Sequence, residues 1–500
     1  MSLTGSFTGH SAILLASSFD RHNASAETSD AADDSVGQNI RIAVEYEVKN
    51  KVPDNQRQLP PLYEDPAFWG MTTTQFLGAF NDSVFKQIVL LLCVAVIVSP
   101  TGEIQDQQFL AQGIFAIAFI FLSGISGYWS DRVSKRGLII FCKCLEILVM
   151  LGAVFAFAML SDLKIRETAG GTEQFSMLGT PWGLLAVLFL MGSQSAVFGP
   201  AKYGILPEMV RNTDLPRMNG IIQMTTFLAI ILGTWVGGVL LDAMHHLLWA
   251  IGVICVGIAI VGTLTSLLVR RTSVAEQNAP FVWSNFAISP DARRVLYQDK
   301  PLRNALLVYS IFWFVAAIFP LMVNWLGREQ FLMSNAKTSF LLATVSIGIA
   351  AGFVSAGKFS GGNVNFRLVK IGALGLAVCL LLLALPASME QPWRHLLGVP
   401  GSYVALIFSG FFAGLFALPV QVYLQARPPQ KIKGRVIGAM NLVNWIAIVL
   451  AAMFFFLSDE ILQWMQLPKF SIFGITGLLL LPIAVFYRTD IVSLGTEKID

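Results

Sequence analysis

Long apolar segments alternate with short polar stretches along most of the chain, and twelve such segments can be distinguished. A helix needs about 20 residues to cross a hydrocarbon core of about 30 Å. Because backbone groups in lipid must form their hydrogen bonds within their own segment, we expect each segment to be a membrane-spanning helix. The predicted spans cover residues 68–98, 109–130, 138–160, 181–200, 218–241, 247–269, 303–326, 338–357, 368–388, 402–425, 435–457 and 470–487.

The longest interior polar stretch, residues 271–302, separates six spans from six. A weak repeat supports this division, because Pro200 in FGPAKYG corresponds to Pro419 in FALPVQVY, and similar segments follow both. Parallel six-helix repeats that rock around a site near the membrane midplane form a known transporter architecture. We therefore predict an all-α membrane protein with 12 transmembrane helices in two pseudo-symmetric halves, residues 67–270 and 303–490, joined by a cytoplasmic central loop over 271–302.

The composition agrees with lipid as the main solvent of the chain. Hydrophobic residues make up 55% and charged residues 13%, and the mean hydropathy is +0.65, far from the averages of soluble domains. The formal charge of +3 is distributed over many loops, so nothing indicates nucleic-acid binding. The five cysteines fall in apolar segments, where a thiol behaves as a small hydrophobic group, and we predict neither a disulfide framework nor a metal site.

The two ends of the chain are predicted to lie in the cytoplasm. Residues 1–66 are rich in Ser, Asp, Ala and Asn, which is typical of a disordered tail, and a shorter tail covers residues 491–500. Twelve spans place both tails on one side, where the loops carry nineteen Lys and Arg. The opposite loops carry six, namely Lys164, Arg166, Arg328, Lys337, Arg394 and Lys469. Basic residues in short loops favour the cytoplasmic side.

The loop between the second and third spans, GYWSDRVSKRG, resembles the loop motif G-x-x-x-D-R-x-G-R-R of the major facilitator superfamily. A charged turn of this kind can bind the helix ends of the other half and favour one conformation. The alternative is an ordinary basic cytoplasmic loop that contains an aspartate. Ser134 replaces one glycine of the motif, and the matching residues are Gly127, Asp131, Arg132, Lys135 and Arg136. The resemblance implies the major facilitator fold.

The segment GFVSAGKF, which ends at Phe359, is close to the nucleotide-binding pattern G-x-x-x-x-G-K-[ST]. Phe359 stands where the pattern needs a hydroxyl to bind magnesium. The segment also ends an apolar span instead of following a strand of a soluble domain. We therefore expect transport without ATP hydrolysis and without a bound cofactor.

Four ionisable residues lie deep within predicted spans: Asp82 and Lys86 in the first, and Lys143 and Glu146 in the third. Charges at such depth are costly and usually face the interior of the bundle. The spacings of four and three residues allow each pair to neutralise itself on one helix face. Gln75 shares the face of Asp82. The stripe either faces the substrate or forms self-satisfied ion pairs that hold the helices together.

The second half has no deep charge, only polar and aromatic positions such as Tyr309, Asn324, Gln421, Asn441 and Asn444. An interior with ionisable groups on one side and apolar, aromatic walls on the other suits an amphiphile with a polar head and an apolar tail.

The segments TQFLGAFNDSVFKQIVLLL, from Thr74, and FGPAKYGILPEMV, from Phe198, resemble those of the bacterial lysophospholipid transporters, a branch of the same superfamily. The resemblance extends over about residues 67 to 490. The matching motif positions are Gln75, Asn81, Asp82 and Lys86 in the first span, and Pro200, Lys202, Tyr203 and Glu208 after the fourth. It implies a multi-pass flippase of the bacterial inner membrane that moves lysophospholipids to the cytoplasmic leaflet by alternating access.

Some transporters of this branch are fused to acyltransferases, which use a His-x-x-x-x-Asp pair. None of the five histidines here has an aspartate five residues later, so we predict that the chain is not an enzyme. A separate cytoplasmic acyltransferase is the expected partner, together with a lipid or other amphiphilic substrate.

Two other functions remain open from the sequence. An exporter of drugs or other hydrophobic solutes would use a similar interior. A non-transporting membrane scaffold or sensor would instead use the acidic tail to bind partners.

Overall fold

The computed structural model describes residues 59–94, 97–98, 104–160, 164–167, 173–178, 181–211, 214–271, 288, 290–360, 364–388, 394–428, 433–487 and 491–492. Most of the predicted N-terminal tail, residues 1–58, and the end of the C-terminal tail, residues 493–500, therefore lie outside the described residues.

The first half of the described chain contains long helices at the six predicted positions. Asp65 caps the first of them, since its carboxylate accepts a hydrogen bond from the backbone N–H of Ala67 at 2.9 Å, and Pro66 occupies the first helical position. The helices are α1 (Pro66–Cys93), α2 (Gln108–Arg132), α3 (Lys135–Ala158), α4 (Trp182–Met209), α5 (Leu215–Met244) and α6 (Leu248–Ser266).

The first long helix of the second half is capped in the same way. Asp299 caps its first long helix by accepting from the backbone N–H of Leu302 at 3.0 Å, and a π-helical turn over Leu326–Gln330 extends that helix. The helices are α7 (Pro290–Gln298), α8 (Lys300–Trp325), α9 (Asn335–Ser360), α10 (Arg367–Leu383), α11 (Gly398–Ala426), α12 (Lys433–Trp464), α13 (Ser471–Leu478) and α14 (Leu481–Phe486).

The all-α prediction is confirmed, and helices occur at all twelve predicted positions. Within the described residues, eight helical stretches are long and apolar enough to cross a membrane, and one of them, Met224–Ser266, contains two predicted spans. The apolar part of α2, the 17-residue α10 and the α13–α14 pair are shorter, so their crossing stays a prediction. Large apolar side chains cover the outside, as with Phe121 at 65% exposure, which fits a lipid environment.

Short strands connect helices on the side that we predict to be extracytoplasmic. The strands β1 (Ile97–Val98) and β2 (Ile104–Gln105) follow α1, and β3 (Lys164–Glu167) and β4 (Glu173–Leu178) follow α3. They form one sheet in the order β2-β1-β4-β3, in which β1 and β4 are parallel. On the opposite side, β5 (Val364–Asn365) pairs with β6 (Ile491–Val492). Strands of two to six residues give no clear period in the sequence, and they were not predicted.

The predicted central loop is not entirely a loop. Helix α7 lies within it, and α8 begins at Lys300, before the predicted boundary. Ala292 and Leu296, four residues apart, are buried, while Arg293 and Arg294 are exposed. This spacing of apolar and basic residues is typical of a short amphipathic helix.

The two halves meet through α2 with α12 and through α5 with α9. Phe119 and Trp445 stack with their ring centroids 3.8 Å apart, and Phe227 meets Phe353 edge to face at 5.5 Å. At Gly238 on α5, an added Cβ would overlap the backbone and side chains of α9, so the approach of these helices requires glycine.

Helices α9 and α11 pack through four glycines, Gly348 and Gly352 facing Gly410 and Gly414. A Cβ at Gly414 would lie 2.6 Å from the carbonyl oxygen of Ile349, and a Cβ at each of the other three would also overlap a carbonyl oxygen of the facing helix. Small residues spaced by four allow helix backbones to approach in membranes.

Candidate functional site

Asp82 lies on the interior face of α1, opposite α4. Its Oδ2 accepts a hydrogen bond from Ser195 Oγ at 2.5 Å. Its Oδ1 is buried and has no hydrogen-bond partner. The side chain as a whole is half-buried. A buried carboxylate oxygen without a hydrogen-bond partner costs folding free energy. This atom can therefore accept a hydrogen bond from a further donor.

Lys86 is four residues further along α1 but does not pair with Asp82. The structure contains no ion pair within 4.0 Å between these two described residues, so the self-neutralisation that the spacing allows is not formed by this pair. The Lys86 ammonium instead lies over the ring of Phe115 on α2, 4.6 Å from its centroid. Like Asp82, Lys86 is half-buried. A carboxylate and an ammonium that do not bind each other are both available to a third group.

The second predicted pair is formed. Lys143 and Glu146 on α3 make an ion pair and are 1% and 2% exposed. Asn81 donates to Glu146 Oε1 at 3.0 Å, and Thr263 donates to the backbone oxygen of Lys143 at 3.0 Å. A Cβ at Gly78 would lie 2.8 Å from the Lys143 ammonium nitrogen. The pair is therefore enclosed between α1, α3 and α6 and joins them.

Gln75 is buried where α1 meets α5. Its amide nitrogen donates to Thr225 at 2.8 Å and to the backbone oxygen of Ile222 at 3.1 Å. Its amide oxygen accepts from Thr226 at 2.9 Å and from Lys202 at 3.3 Å. Because all these contacts are internal, Gln75 connects α1 to α4 and α5 in this conformation.

The loop motif and the motif of the fourth span meet at one side of the bundle. Lys135 forms an ion pair with Glu208 at the end of α4, and Arg136 donates to the backbone oxygen of Leu267 at 2.8 Å. Arg132 is exposed at the end of α2. Gly127 and Asp131 belong to α2, but the Asp131 side chain lies outside the described part, so its predicted role in conformational switching stays a prediction.

The other residues of the fourth-span motif lie on α4. The helix continues through Pro200, and the Lys202 ammonium lies 4.5 Å from the ring centroid of Tyr203, which is 48% exposed. The structure thus brings together Gln75 with Lys202, and Lys135 with Glu208. Asp82 and Lys86 contact Ser195 and Phe115 instead.

Sequence reasoning missed the neutral partners of the charged residues, including Ser195, Thr225, Thr226 and Thr263. Serine and threonine are common at helix contacts in membranes, so their presence alone indicates no site. Their position opposite Asp82, Gln75 and Lys143 depends on how the helices pack.

A polar cluster also connects the two halves near one end of the helices. The Gln87 amide on α1 donates to Asn324 at 2.9 Å and to Ser339 at 3.0 Å, and Asn324 donates to Gln108 at 3.0 Å. These contacts lie near the C-terminal end of α1 and the N-terminal ends of α2 and α9. This is the side with few basic residues, which we predict to face outside.

On the same side, Asp242 near the end of α5 caps the start of α9. Its carboxylate accepts from the backbone N–H groups of Asn335 at 2.9 Å and Ala336 at 2.7 Å. A carboxylate stabilises a helix N-terminus through hydrogen bonds and the helix dipole. Here the cap is supplied by the other half of the molecule.

Within the described residues, no group of three or more His, Cys, Asp or Glu side chains is arranged to hold a metal ion.

Residues 69–452 match the family described as Major Facilitator Superfamily. Relatives include the lysophospholipid transporters LplT of Yersinia pestis (strain Pestoides F) and Yersinia pseudotuberculosis serotype O:3 (strain YPIII). Each is 31% identical over 375 residues, covering 74% of this chain and 80% of the relative.

Similar solved structures include the nucleoside transporter NupG, with a TM-score of 0.56 at 14% identity over 84% of this chain and 97% of that chain. A POT family transporter in complex with 5-aminolevulinic acid gives a TM-score of 0.61 at 12% identity, over 84% and 94%. These likenesses show the fold alone. The family match and the relatives at 31% identity confirm the resemblance found in the sequence: the chain belongs to the major facilitator superfamily, in the branch that contains the lysophospholipid transporters.

Proposed function

We propose that this membrane transporter flips lysophospholipids across the bacterial inner membrane toward the cytoplasmic leaflet. The observation that carries the proposal is the pair of unlike charges on the interior face of α1, Asp82 and Lys86, which are half-buried and not bound to each other. Charges kept within a membrane span are usually functional. The relatives named as lysophospholipid transporters support this substrate class.

A lysophospholipid head group matches these two charges. The Lys86 ammonium offers donors to a phosphate, and Asp82 Oδ1 offers an acceptor to an ammonium or hydroxyl group. Aromatic side chains next to this face, Phe115 and the stacked pair Phe119 and Trp445, offer apolar surface for an acyl chain. We assign Lys143, Glu146 and Gln75 to holding α1 in place, since their polar groups bind within the protein.

Transport by alternating access requires the contacts between the halves to open and close. The Gln87 cluster and the Asp242 cap hold the halves together at the predicted outer ends of the helices. We infer that this conformation is closed to the outside, with both termini in the cytoplasm. A separate acyltransferase that consumes the lipid at the inner leaflet would favour inward movement.

Purified chain in proteoliposomes would test the proposal with labelled lysophosphatidylethanolamine. We expect Asp82→Asn to lower the transport rate at least tenfold, because the neutral amide loses the charge that attracts an ammonium. Glu64→Gln, which removes an exposed carboxylate outside the membrane helices, serves as the matched control and should transport like the wild type. Full transport by Asp82→Asn would refute the role of Asp82.

Export of hydrophobic solutes is the second candidate, favoured by the aromatic contact between the halves at Phe119 and Trp445. A drug-type dye as parallel substrate separates the two functions. Dye movement without lysolipid movement would support the exporter.

A further inference from the structure

We propose that a polar pocket on the predicted outer face binds the ammonium group of the lysolipid before transport and thereby releases a bridge between the two halves. The inference rests on the proposed function and assigns a second, outer site to the same substrate. The pocket has a volume of about 560 Å³ and lies at the ends of α2, α8 and α12. Its lining includes Asp106, Glu329, Asp459, Lys469 and Trp325.

Lys469 is the bridge. Its ammonium lies 2.9 Å from Asp106, which precedes α2 in the first half, and 2.7 Å from Asp459 on α12 in the second half. Burial opposes the charged form, but the two carboxylates outweigh burial and raise the pKa of Lys469 above its ordinary value. The side chain is therefore charged at neutral pH and connects the halves electrostatically.

The pocket carries more negative than positive formal charge, because three carboxylates line it with one lysine. The neighbouring Arg328 is buried, donates to the backbone oxygen of Met333 at 2.9 Å, and is not part of the lining. Asp459 is only 8% exposed, and its Oδ1 has no hydrogen-bond partner. The structure thus presents a buried acceptor that a further donor would satisfy.

The chemistry of the occupant follows from Lys469 itself. Two carboxylates already bind an alkyl ammonium here, and the rings of Phe455 and Trp325 lie 4.9 Å and 5.8 Å from its nitrogen. A primary ammonium on a ligand presents the same charge and three N–H donors. Ethanolamine is such a head group, whereas glycerol has none.

Binding at this pocket would compete with the bridge. An ammonium that takes Asp106 from Lys469 removes the ion pair between the halves. A ligand that binds one conformation better shifts the population toward it. Lysophosphatidylethanolamine would therefore favour opening on the outer face, and lysophosphatidylglycerol would not do so through this pocket.

The experiment measures opening and transport separately in the full chain. Spin labels are placed at Leu247→Cys and Leu396→Cys, exposed positions in the outer turns of the two halves, in a Cys144→Ser background because Cys144 is the exposed native thiol among the described cysteines. Lysophosphatidylethanolamine should increase the population of longer label distances at least threefold, and lysophosphatidylglycerol should leave it unchanged. Equal effects of the two lipids, or no effect of either, would overturn the proposal.

Two variants separate this inference from the proposed function. Asp459→Asn should raise the KM for lysophosphatidylethanolamine about tenfold and leave that for lysophosphatidylglycerol within twofold. Asp82→Asn should lose transport but keep the opening response. If Asp459→Asn is not recovered as folded protein, Glu329→Gln tests the same wall of the pocket. An equal change in KM for both lipids would refute the outer site while leaving the transport function intact.

Discussion

At the scale of single residues, the charges of the interior divide into a bound pair and an unbound pair. Lys143 and Glu146 bind each other and Asn81, out of contact with solvent. Asp82 and Lys86 bind neutral or aromatic groups and stay half-buried. We therefore expect the first pair to determine stability and the second pair to determine transport.

Lys143→Met should destabilise the protein by about 3–5 kcal/mol, because it leaves the Glu146 carboxylate buried without its counter-charge. Adding Glu146→Gln should recover most of that loss, since no isolated charge remains. Unfolding midpoints in detergent for the two single variants and the double variant measure the coupling. A stable Lys143→Met protein that fails to transport would place this residue in the substrate pathway instead.

His395 gives a pH dependence outside the membrane spans. The buried ring lies between Phe331 and Phe470, and its Nε2 contacts the backbone oxygen of Leu383 at 2.8 Å. Burial lowers the pKa of His395 below its ordinary value of 6.5, and the hydrogen bond only partly opposes this. The unfolded chain therefore binds the proton more readily, and stability is lost as the pH falls below about 6.5.

We expect the melting temperature to fall between pH 7.5 and pH 5.0, and to fall less in His395→Gln. Thermal unfolding of both proteins at the two pH values measures this difference. An equal fall in both proteins would mean that other groups cause the acid sensitivity.

Much of the candidate site was predictable from charge alone, because a charged residue in a span is rare and costly. Which of these charged residues form ion pairs with each other was predictable only in part. The spacing of Lys143 and Glu146 led to the correct pair, but the same reasoning failed for Asp82 and Lys86, where Ser195 on α4 and Phe115 on α2 compete for them. Contacts between distant helices depend on packing, which one sequence does not contain.

At the scale of the elements, the apolar segments predicted the helix positions because lipid requires about 20 apolar residues for each crossing. Helix α7 was missed because its two buried residues, Ala292 and Leu296, are too few to stand out in a polar stretch. The contact between α9 and α11 was not predicted from their four glycines either, although the two glycines on each helix are spaced by four residues.

Gly348→Val should disrupt the packing of α9 on α11, because its Cβ would overlap the backbone oxygen of Ile407. We expect a loss of folded, monodisperse protein by at least half. Gly357→Val on the same helix is the control, since its Cβ would meet only Leu418, at 4.0 Å. Size-exclusion profiles of both variants provide the measurement, and equal profiles would show that α9 and α11 can separate at little cost.

At the scale of the whole molecule, the Asp242 cap should stabilise the conformation that is closed at the outer face. Asp242→Ala removes three hydrogen bonds between the halves, two from backbone N–H groups and one from the Asn335 amide, and loss of a cap costs about 1 kcal/mol or somewhat more. A change of 1–2 kcal/mol alters a two-state ratio by roughly 5- to 30-fold. The label pair at positions 247 and 396 should report more of the open state.

Asp214→Ala is the matched control for this prediction, because Asp214 precedes the opposite end of α5 and its side chain makes no capping hydrogen bond. If both variants opened to the same extent, the Asp242 cap would not be what keeps the outer face closed.

Deletion of residues 1–58 tests the alternative of a scaffold or sensor. A transporter should keep its rate within about twofold, because the described interior charges all lie after residue 59. Transport in proteoliposomes by the shortened chain measures this. A transport-inactive but stable shortened chain would give the tail an essential role.

The glycine contact between α9 and α11 makes the two helices one rigid unit. Helices that touch backbone to backbone have no side chains that can change rotamer to let them slide. This rigid unit begins at the Asp242 cap on the predicted outer face and ends near Arg427. Arg427 Nε lies 2.7 Å from Asp299 Oδ2, at the start of α8. Release of the cap at the outer end would therefore be transmitted through both helices to the Arg427–Asp299 contact at their other end.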